Sequence, residues 1–205
     1  MRRGERGFTL IELVLALSIV AVMLTMLFGG LRVGLRAWQR GEERAGTLEH
    51  ARSMSYLLEQ AFGGAYAYQG QTDQNSRPKI LFKGEAEKVS FVTVSAPLPL
   101  PTALAFTAVT FSMESGVSPG LAIREKAVPN FDPFEEVVPL VVDPTITAVR
   151  FRYLRDADSG SWEDTWDAAE ERAMPRAVEI TLTAIINGRV QEQPAILIPV
   201  RVTTP

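Results

Sequence analysis

The sequence predicts an α+β protein in which one very long N-terminal helix lays its second half on a largely antiparallel β-sheet. Three observations carry that prediction. Residues 13–31 (LVLALSIVAVMLTMLFGGL) are 19 consecutive residues without a charge. As a helix they span about 28 Å, close to the bilayer hydrocarbon core of about 30 Å. Residues 42–62 then carry apolar side chains at helical spacing, and beyond Gly63-Gly64 the pattern alternates. The apolar period thus falls from about 3.6 residues to about 2, the change from helix to strand.

The composition bounds the rest. A chain of 205 residues, 46% hydrophobic and 22% charged, holds one sizeable domain with an appendage and is not disordered. It has no cysteine, which excludes a disulfide framework, a thiolate-ligated metal and a cysteine nucleophile. A net charge of -3 argues against nucleic acid as the main partner.

The head MRRGERG sets Arg2, Arg3 and Arg6 against Glu5. A basic head before an apolar run also describes a secretory signal. This run is too long for that, and no small-x-small cleavage site follows it, so it reads as a retained membrane helix. The charge bias gives no clear orientation, because Arg32, Arg36, Arg40 and Arg44 stand beyond the run. A seven-residue head cannot fold, so the folded part lies beyond residue 45.

Glu12 sits at the apolar edge between Ile11 and Leu13. A carboxylate there costs about 2.5–3.5 kcal/mol unless it snorkels to the headgroups or meets a positive partner at the same depth. The four arginines, four residues apart, form a slanting ridge that suits either lipid headgroups or acidic residues of adjacent subunits. Gly29, Gly30, Gly34 and Gly41 cost about 1 kcal/mol each in helix propensity, so bending or partial melting is expected there. Further on, Leu48, Ala51, Ser55, Leu58 and Phe62 make an amphipathic stripe, with Met54, Leu57 and Ala61 beside it. Gly63-Gly64 is a stop signal.

Strands are expected over 79–83 (KILFK), 88–95 (KVSFVTVS) and, after the break at Pro97, Pro99 and Pro101, 107–114, with Val109, Phe111 and Met113 on one face. Shorter strands are expected over 121–127 and 137–142. Residues 147–155 alternate Val149, Phe151 and Tyr153 with Arg150 and Arg152. Residues 178–186 alternate strictly, and Asn187-Gly188 then signals a tight hairpin. The return strand carries Ile196, Ile198, Val200 and Val202, with Pro194 and Pro199 favouring a sheet edge.

Few residues suggest chemistry. Gly116-Val117-Ser118-Pro119-Gly120 fits G-x-S-x-G, but a nucleophile elbow needs the N–H after the serine, and Pro119 has none. A turn between strands is the better reading. His50, the single histidine, reads as a helix-face or interface residue. The stretch 156–171 is strongly acidic. As a calcium loop it has glycine at the wrong place, Gly160, and Asp167 where the bidentate glutamate belongs, so a solvated loop is the first reading and a loose calcium site, from its carboxylate density, the second. Trp162 and Trp166, four apart, suit one side of a short helix, as core anchors or as partner contacts. No cofactor and no metal site is expected.

Gly7-Phe8-Thr9-Leu10-Ile11-Glu12, between a short basic leader and a long apolar helix, resembles the processing signal of type IV pilins and type II secretion pseudopilins. The resemblance implies a pilin-like fold, cleavage by prepilin peptidase after Gly7 and N-methylation of Phe8. It also implies that Glu12 pairs with the terminal ammonium of a neighbouring subunit, which is the partner a buried carboxylate needs. The chain length, the Trp-bearing acidic loop 161–171 and the strand opening Pro175-Arg176-Ala177-Val178-Glu179 resemble the J-type minor pseudopilin. The implied organisation is a leader over 1–7, a transmembrane helix over 8–31, an amphipathic helix over 32–64 and a periplasmic β-rich domain over 65–205. The implied role is non-enzymatic: helping to assemble or cap a secretion pseudopilus. Implied partners are other minor pseudopilins, the major pseudopilin, prepilin peptidase and the inner membrane, with Arg32, Arg36, Trp162 and Trp166 as contact residues. A minor pilin of a type IV pilus or DNA-uptake machine has the same architecture. A membrane-tethered periplasmic hydrolase using Ser118 or the acidic loop is the reading from another class.

Overall fold

The computed structural model of the chain describes residues 9–71, 77–98, 106–135, 138–156 and 160–201; the side chains of residues 39–45, 47 and 48 lie outside that description. The chain divides into two units, Met1–Gly46 and Thr47–Pro205. Helix α1 (Leu10–Gly63) contributes to both.

In the first unit α1 is helical through Gly29, Gly30 and Gly34, so the expected melting is absent there. Three scattered glycines do not outweigh propagation along a long run of Leu, Ala and Met. Ser18 Oγ and Thr25 Oγ1 donate to the carbonyls of Val14 and Ala21, both at 2.8 Å. The hydroxyls are thereby satisfied within the helix, as a low-dielectric surrounding requires.

The second unit holds the last turns of α1 and the strands. In chain order these are β1 (Gln69–Gly70), β2 (Lys79–Ile80), β3 (Phe82–Gly84), β4 (Lys88–Thr93), β5 (Thr107–Glu114), β6 (Gly120–Ala127) and β7 (Val141–Asp143). There follow β8 (Ile146–Leu154), β9 (Trp162–Glu163), β10 (Trp166–Asp167), the one-turn α2 (Ala168–Glu171), β11 (Ala177–Ile186), β12 (Arg189–Glu192) and β13 (Ile196–Pro199). Strands β1 and β2 pair alone. A six-stranded sheet runs β10-β3-β4-β5-β6-β7, and a second runs β12-β11-β8-β9 with β13 also on β11. The strand pairs are antiparallel.

One core joins both sheets to α1. Ala51, Met54, Leu58, Ala61 and Phe62 are buried on the helix. The Phe62 ring stacks on Phe91 at 4.4 Å and lies 6.2 Å from both Phe111 and Phe151, so it touches both sheets. Burying such a ring contributes about 2–3 kcal/mol through area alone. The helix ends as the glycines predict. Gly64 N–H donates to Gln60 O at 3.2 Å, and Thr93 Oγ1 donates to Ala61 O at 2.8 Å, which satisfies a terminal carbonyl. A second tie between the sheets is Tyr153 of β8, whose hydroxyl donates to Glu85 O at 3.0 Å. Its ring lies over Gly84, where a Cβ would collide with the phenol, so this β3 position accepts only glycine.

Several expected strands differ in detail. The stretch 79–83 is broken at Leu81: β2 pairs with β1, while β3 pairs with β4 and β10. Strand β5 is buried on both faces, since Ala108, Thr110 and Ser112 are as hidden as Val109 and Phe111. The cause is a strap after β6. Val128 and Phe134 pack with Leu81, Val92 and Ala108 on the side of the sheet away from α1. The hairpin at Asn187-Gly188 forms as expected, with φ of 53° and 72° and Ile186 facing Arg189. Both central residues are left-handed, as the twist of a two-residue hairpin demands. Its return strand is split: Gln193, Pro194 and Ala195 stand opposite Thr181 and Leu182, so one extra residue separates β12 from β13. Pro99, Pro101, Val137 and Val202 lie outside the described residues.

Candidate functional site

The N-terminal site begins at Thr9, the residue before α1. Its N–H and its Oγ1 both donate to Glu12 Oε2, at 3.0 and 2.9 Å, and Glu12 N–H points back to Thr9 Oγ1 at 3.4 Å. This is a capping box, a Thr and a Glu three apart that satisfy each other's backbone donors. It contributes about 1 kcal/mol to the helix start. The Thr-x-x-Glu spacing that forms it is a local signal carried by the sequence itself. The capping box fixes the Glu12 carboxylate at the first turn, beside Thr9. Gly7 and Phe8 themselves lie outside the described residues.

From Leu10 to Trp38 the helix is long and apolar enough to cross a membrane, and its most apolar stretch is 0% buried. Leu10 is 81% exposed and Phe28 60%. Leaving so many large apolar side chains in water costs on the order of tens of kcal/mol, so this surface requires lipid or other helices. Glu12 is the single charge between Thr9 and Leu31. Arg32 and Arg36 follow one turn apart, both exposed. Arg40 and Arg44 have no described side chains.

In the second unit the structure separates the two tryptophans. They are not on a helix: Trp162 lies in β9 beside β8, whereas Trp166 lies in β10 beside β3. Trp166 is only 5% exposed and donates from Nε1 to Ala173 O at 3.0 Å, so it is a core residue and not a surface contact. Trp162 is half-buried with Arg152 5.7 Å above its ring, and Arg155 lies 5.1 Å above Trp166. The expected solvated loop is pinned down instead. Arg150 binds Asp164 at 3.0 Å, and Arg155 reaches Glu163 and Glu171 at 3.0 and 2.6 Å. Arg155 holds the Glu171 carboxyl below the ordinary glutamate range. Among the described residues no group of three or more histidines, aspartates or glutamates is placed to hold a metal ion; Asp158 lies outside them.

His50 has a definite place. Its Nε2 lies 2.9 Å from Asp143 Oδ2, and Asp143 Oδ1 accepts from Thr145 N–H at 2.9 Å and Thr145 Oγ1 at 2.7 Å. This ties α1 to the turn between β7 and β8. Nothing in the sequence spacing could pair residues so far apart in the chain. Ser118 sits exposed in the turn between β5 and β6, followed by Pro119, so no backbone donor stands where an oxyanion hole needs one.

A membrane-length helix that opens on a capped glutamate and closes on a two-sheet unit defines a pilin-like subunit, and residues 2–28 match the family model described as the prokaryotic N-terminal methylation motif. Residues 29–195 match the family model described as type II secretion system (T2SS), protein J. The chain belongs to that family, whose members are minor pseudopilins, structural subunits and not enzymes. It is 33% identical over 91 residues to type II secretion system protein J of Xanthomonas campestris pv. campestris. The aligned stretch covers 44% of this chain and 43% of that relative, less than half of either. The family belongs to a secretion system, which answers the choice left open between secretion and pilus.

Proposed function

We propose that the protein is a minor pseudopilin subunit that helps to assemble or cap the pseudopilus through which a type II secretion system exports proteins. The observation that carries this reading is Glu12: the single charge from Thr9 to Leu31, held at the first turn of a helix whose apolar sides are uncovered. Prepilin peptidase removes residues 1–7 after Gly7, and Phe8 becomes an N-methylated first residue. The new ammonium of one subunit meets Glu12 of the next at the same depth, which offsets the desolvation of both charges.

Residues 8–31 then cross the inner membrane once. The amphipathic stretch 32–64 leads into the β-rich domain 65–205 in the periplasm. Partners are the other minor pseudopilins and the major pseudopilin, and nucleic acid is not among them. Arg32 and Arg36 meet lipid headgroups or neighbouring helices, and Trp162 supplies a lateral contact. Trp166, being buried, does not.

The test is intact-mass analysis of functional protein extracted from membranes. A chain that begins at N-methyl-Phe8 is expected, and replacing Gly7 by a bulky residue should leave the full-length precursor in place. Functional protein that still begins at Met1 would remove the basis of the reading.

A further inference from the structure

An α-helix turns about 100° per residue, so each residue of α1 has a place around the axis as well as along it. Gly30 follows Glu12 by 18 residues, which is five turns of about 3.6 residues, so the two share one side of the helix. Ala16, Met23 and Gly34 fall within about 40° of the same line. Arg32 and Arg36 do not. They stand about 200° and 240° round from Glu12, on the opposite side. Arg32 separates Gly30 from Gly34 in the sequence but lies behind them on the cylinder. Thr25, at about 220°, shares the arginine side.

The Glu12 side is suited to close approach by a second helix. A Cβ at Gly30 or Gly34 would meet nothing within 4 Å, so this chain's own packing does not require either glycine. Small residues four apart let another helix come near. The opposite side differs in charge and in depth. From Glu12 to Arg32 there are 20 residues, about 30 Å of helix, which matches the thickness of the hydrocarbon core. With Glu12 at one boundary, Arg32 emerges at the other, and Arg36 stands about 6 Å beyond it. Trp38, 72% exposed, lies about 9 Å beyond Arg32, in the headgroup layer where tryptophan collects. Arg32 and Arg36 are both exposed. No Asp or Glu occurs between Glu12 and Glu42, so a second copy of the chain at the same height brings no carboxylate to the level of Arg32.

We propose that the Arg32–Arg36 side of α1 binds the phosphate of an anionic phospholipid in the periplasmic leaflet, while the Glu12 side meets neighbouring subunits. The proposal rests on the assembly role of Glu12, because the side turned away from subunit contacts is the side that lipid covers. Membrane proteins ordinarily keep Arg and Lys on the cytoplasmic side, so two arginines at the outer boundary call for an anion at that depth. A guanidinium is planar and donates two N–H groups to one phosphate. Two guanidinium groups one turn apart carry a double positive charge. A zwitterionic headgroup has no net charge to set against it, whereas an anionic one does.

Binding is read by native mass spectrometry of the full-length chain in neutral detergent micelles, with Arg2, Arg3 and Arg6 replaced by Gln so that the leader holds no lipid. Phosphatidylglycerol should be retained roughly tenfold better than phosphatidylcholine of the same acyl chains. Arg32→Gln with Arg36→Gln should abolish that preference, Arg32→Lys with Arg36→Lys should keep most of it, and Arg52→Gln in the second unit should leave it unchanged. Inorganic phosphate should not displace the lipid. In cells, a photoreactive residue in place of Met23 should cross-link to other pseudopilins, and one in place of Thr25 should cross-link to lipid. The proposal is overturned by equal retention of the two lipids, by a preference that survives the double Gln variant, by displacement with inorganic phosphate, or by pseudopilin cross-links from position 25 as strong as those from position 23. Absence of pseudopilin cross-links from both positions would instead remove the assembly role of Glu12 on which the proposal rests.

Discussion

The two ends of α1 differ in the pattern of their apolar side chains and meet opposite fates. Between Leu10 and Trp38 the apolar side chains point every way and none of the most apolar stretch is buried. From Ala51 to Phe62 they fall on one side, and Ala51, Met54, Leu58, Ala61 and Phe62 disappear into the core while Arg52, Tyr56 and Glu59 stay outside. A helix apolar all round asks for a solvent that is itself apolar, and a helix apolar on one side asks for a sheet. The difference shows that the arrangement of apolar residues, together with their number, tells which partner a helix segment awaits.

The comparison breaks most visibly at its aromatic residues. Phe62→Ala should cost the second unit about 3–5 kcal/mol, because a ring stacked against both sheets leaves a cavity. Phe28→Ala should change the unfolding of that unit by less than about 0.5 kcal/mol. Urea unfolding of a chain lacking residues 1–31, which keeps the amphipathic stretch, measures the first; the full chain in micelles measures the second. Equal effects would abolish the distinction between the two halves.

The anchor between helix and turn sharpens it. Asp143→Ala removes a carboxylate that serves His50 and Thr145 and should cost about 2–3 kcal/mol. His50→Ala should cost about 0.5–1.5 kcal/mol, since His50 is half-exposed and water can replace it. The same denaturation assay decides, and a larger loss from His50 than from Asp143 would reverse the assignment.

A smaller effect tests the boundary of the core. Glu125 is 6% exposed, its Oε1 accepts from Leu98 N–H at 2.8 Å, and its Oε2 is buried without a hydrogen-bond partner among the described residues. Burial raises its carboxyl above the ordinary glutamate range, against the lowering effect of the Leu98 bond. A carboxyl raised in the folded state supports folding below its unfolded value and withdraws that support as pH climbs through the folded one. Glu125→Gln should therefore raise Tm at neutral pH by about 1–3 °C, a gain that shrinks towards pH ~4. A gain that grows on acidification would contradict the sign.

What the sequence disclosed follows from the range of the interactions. Local signals were legible: the uncharged run, the stripe ending at Gly63, the Asn187-Gly188 hairpin and the motif around Glu12. Long-range ones were not. The strap over β5 has no periodic signature, so nothing in the sequence shows that Thr110 and Ser112, opposite the Val109 face, are covered. The four-residue spacing of Trp162 and Trp166 implied a helix, but Asp164 and Glu163 are drawn to Arg150 of β8 and to Arg155 just beyond it, and the two rings go to different sheets. The row of Lys83, Ser90, Thr110 and Arg124 across β3 to β6 was invisible because its register emerges only when those strands pair.

The central claim is that Glu12 serves assembly and not anchoring, and the Glu12→Leu protein tests it most directly. Removing a carboxylate from the apolar edge should ease membrane insertion by about 2.5–3.5 kcal/mol, so a merely tethered domain would tolerate the change. The account expects the Glu12→Leu subunit to be cleaved, inserted and folded, and yet to lose in vivo cross-links to other pseudopilins together with secretion, because a neighbour's ammonium is left unpaired in a low-dielectric place. Normal cross-links and normal secretion from that protein would contradict it.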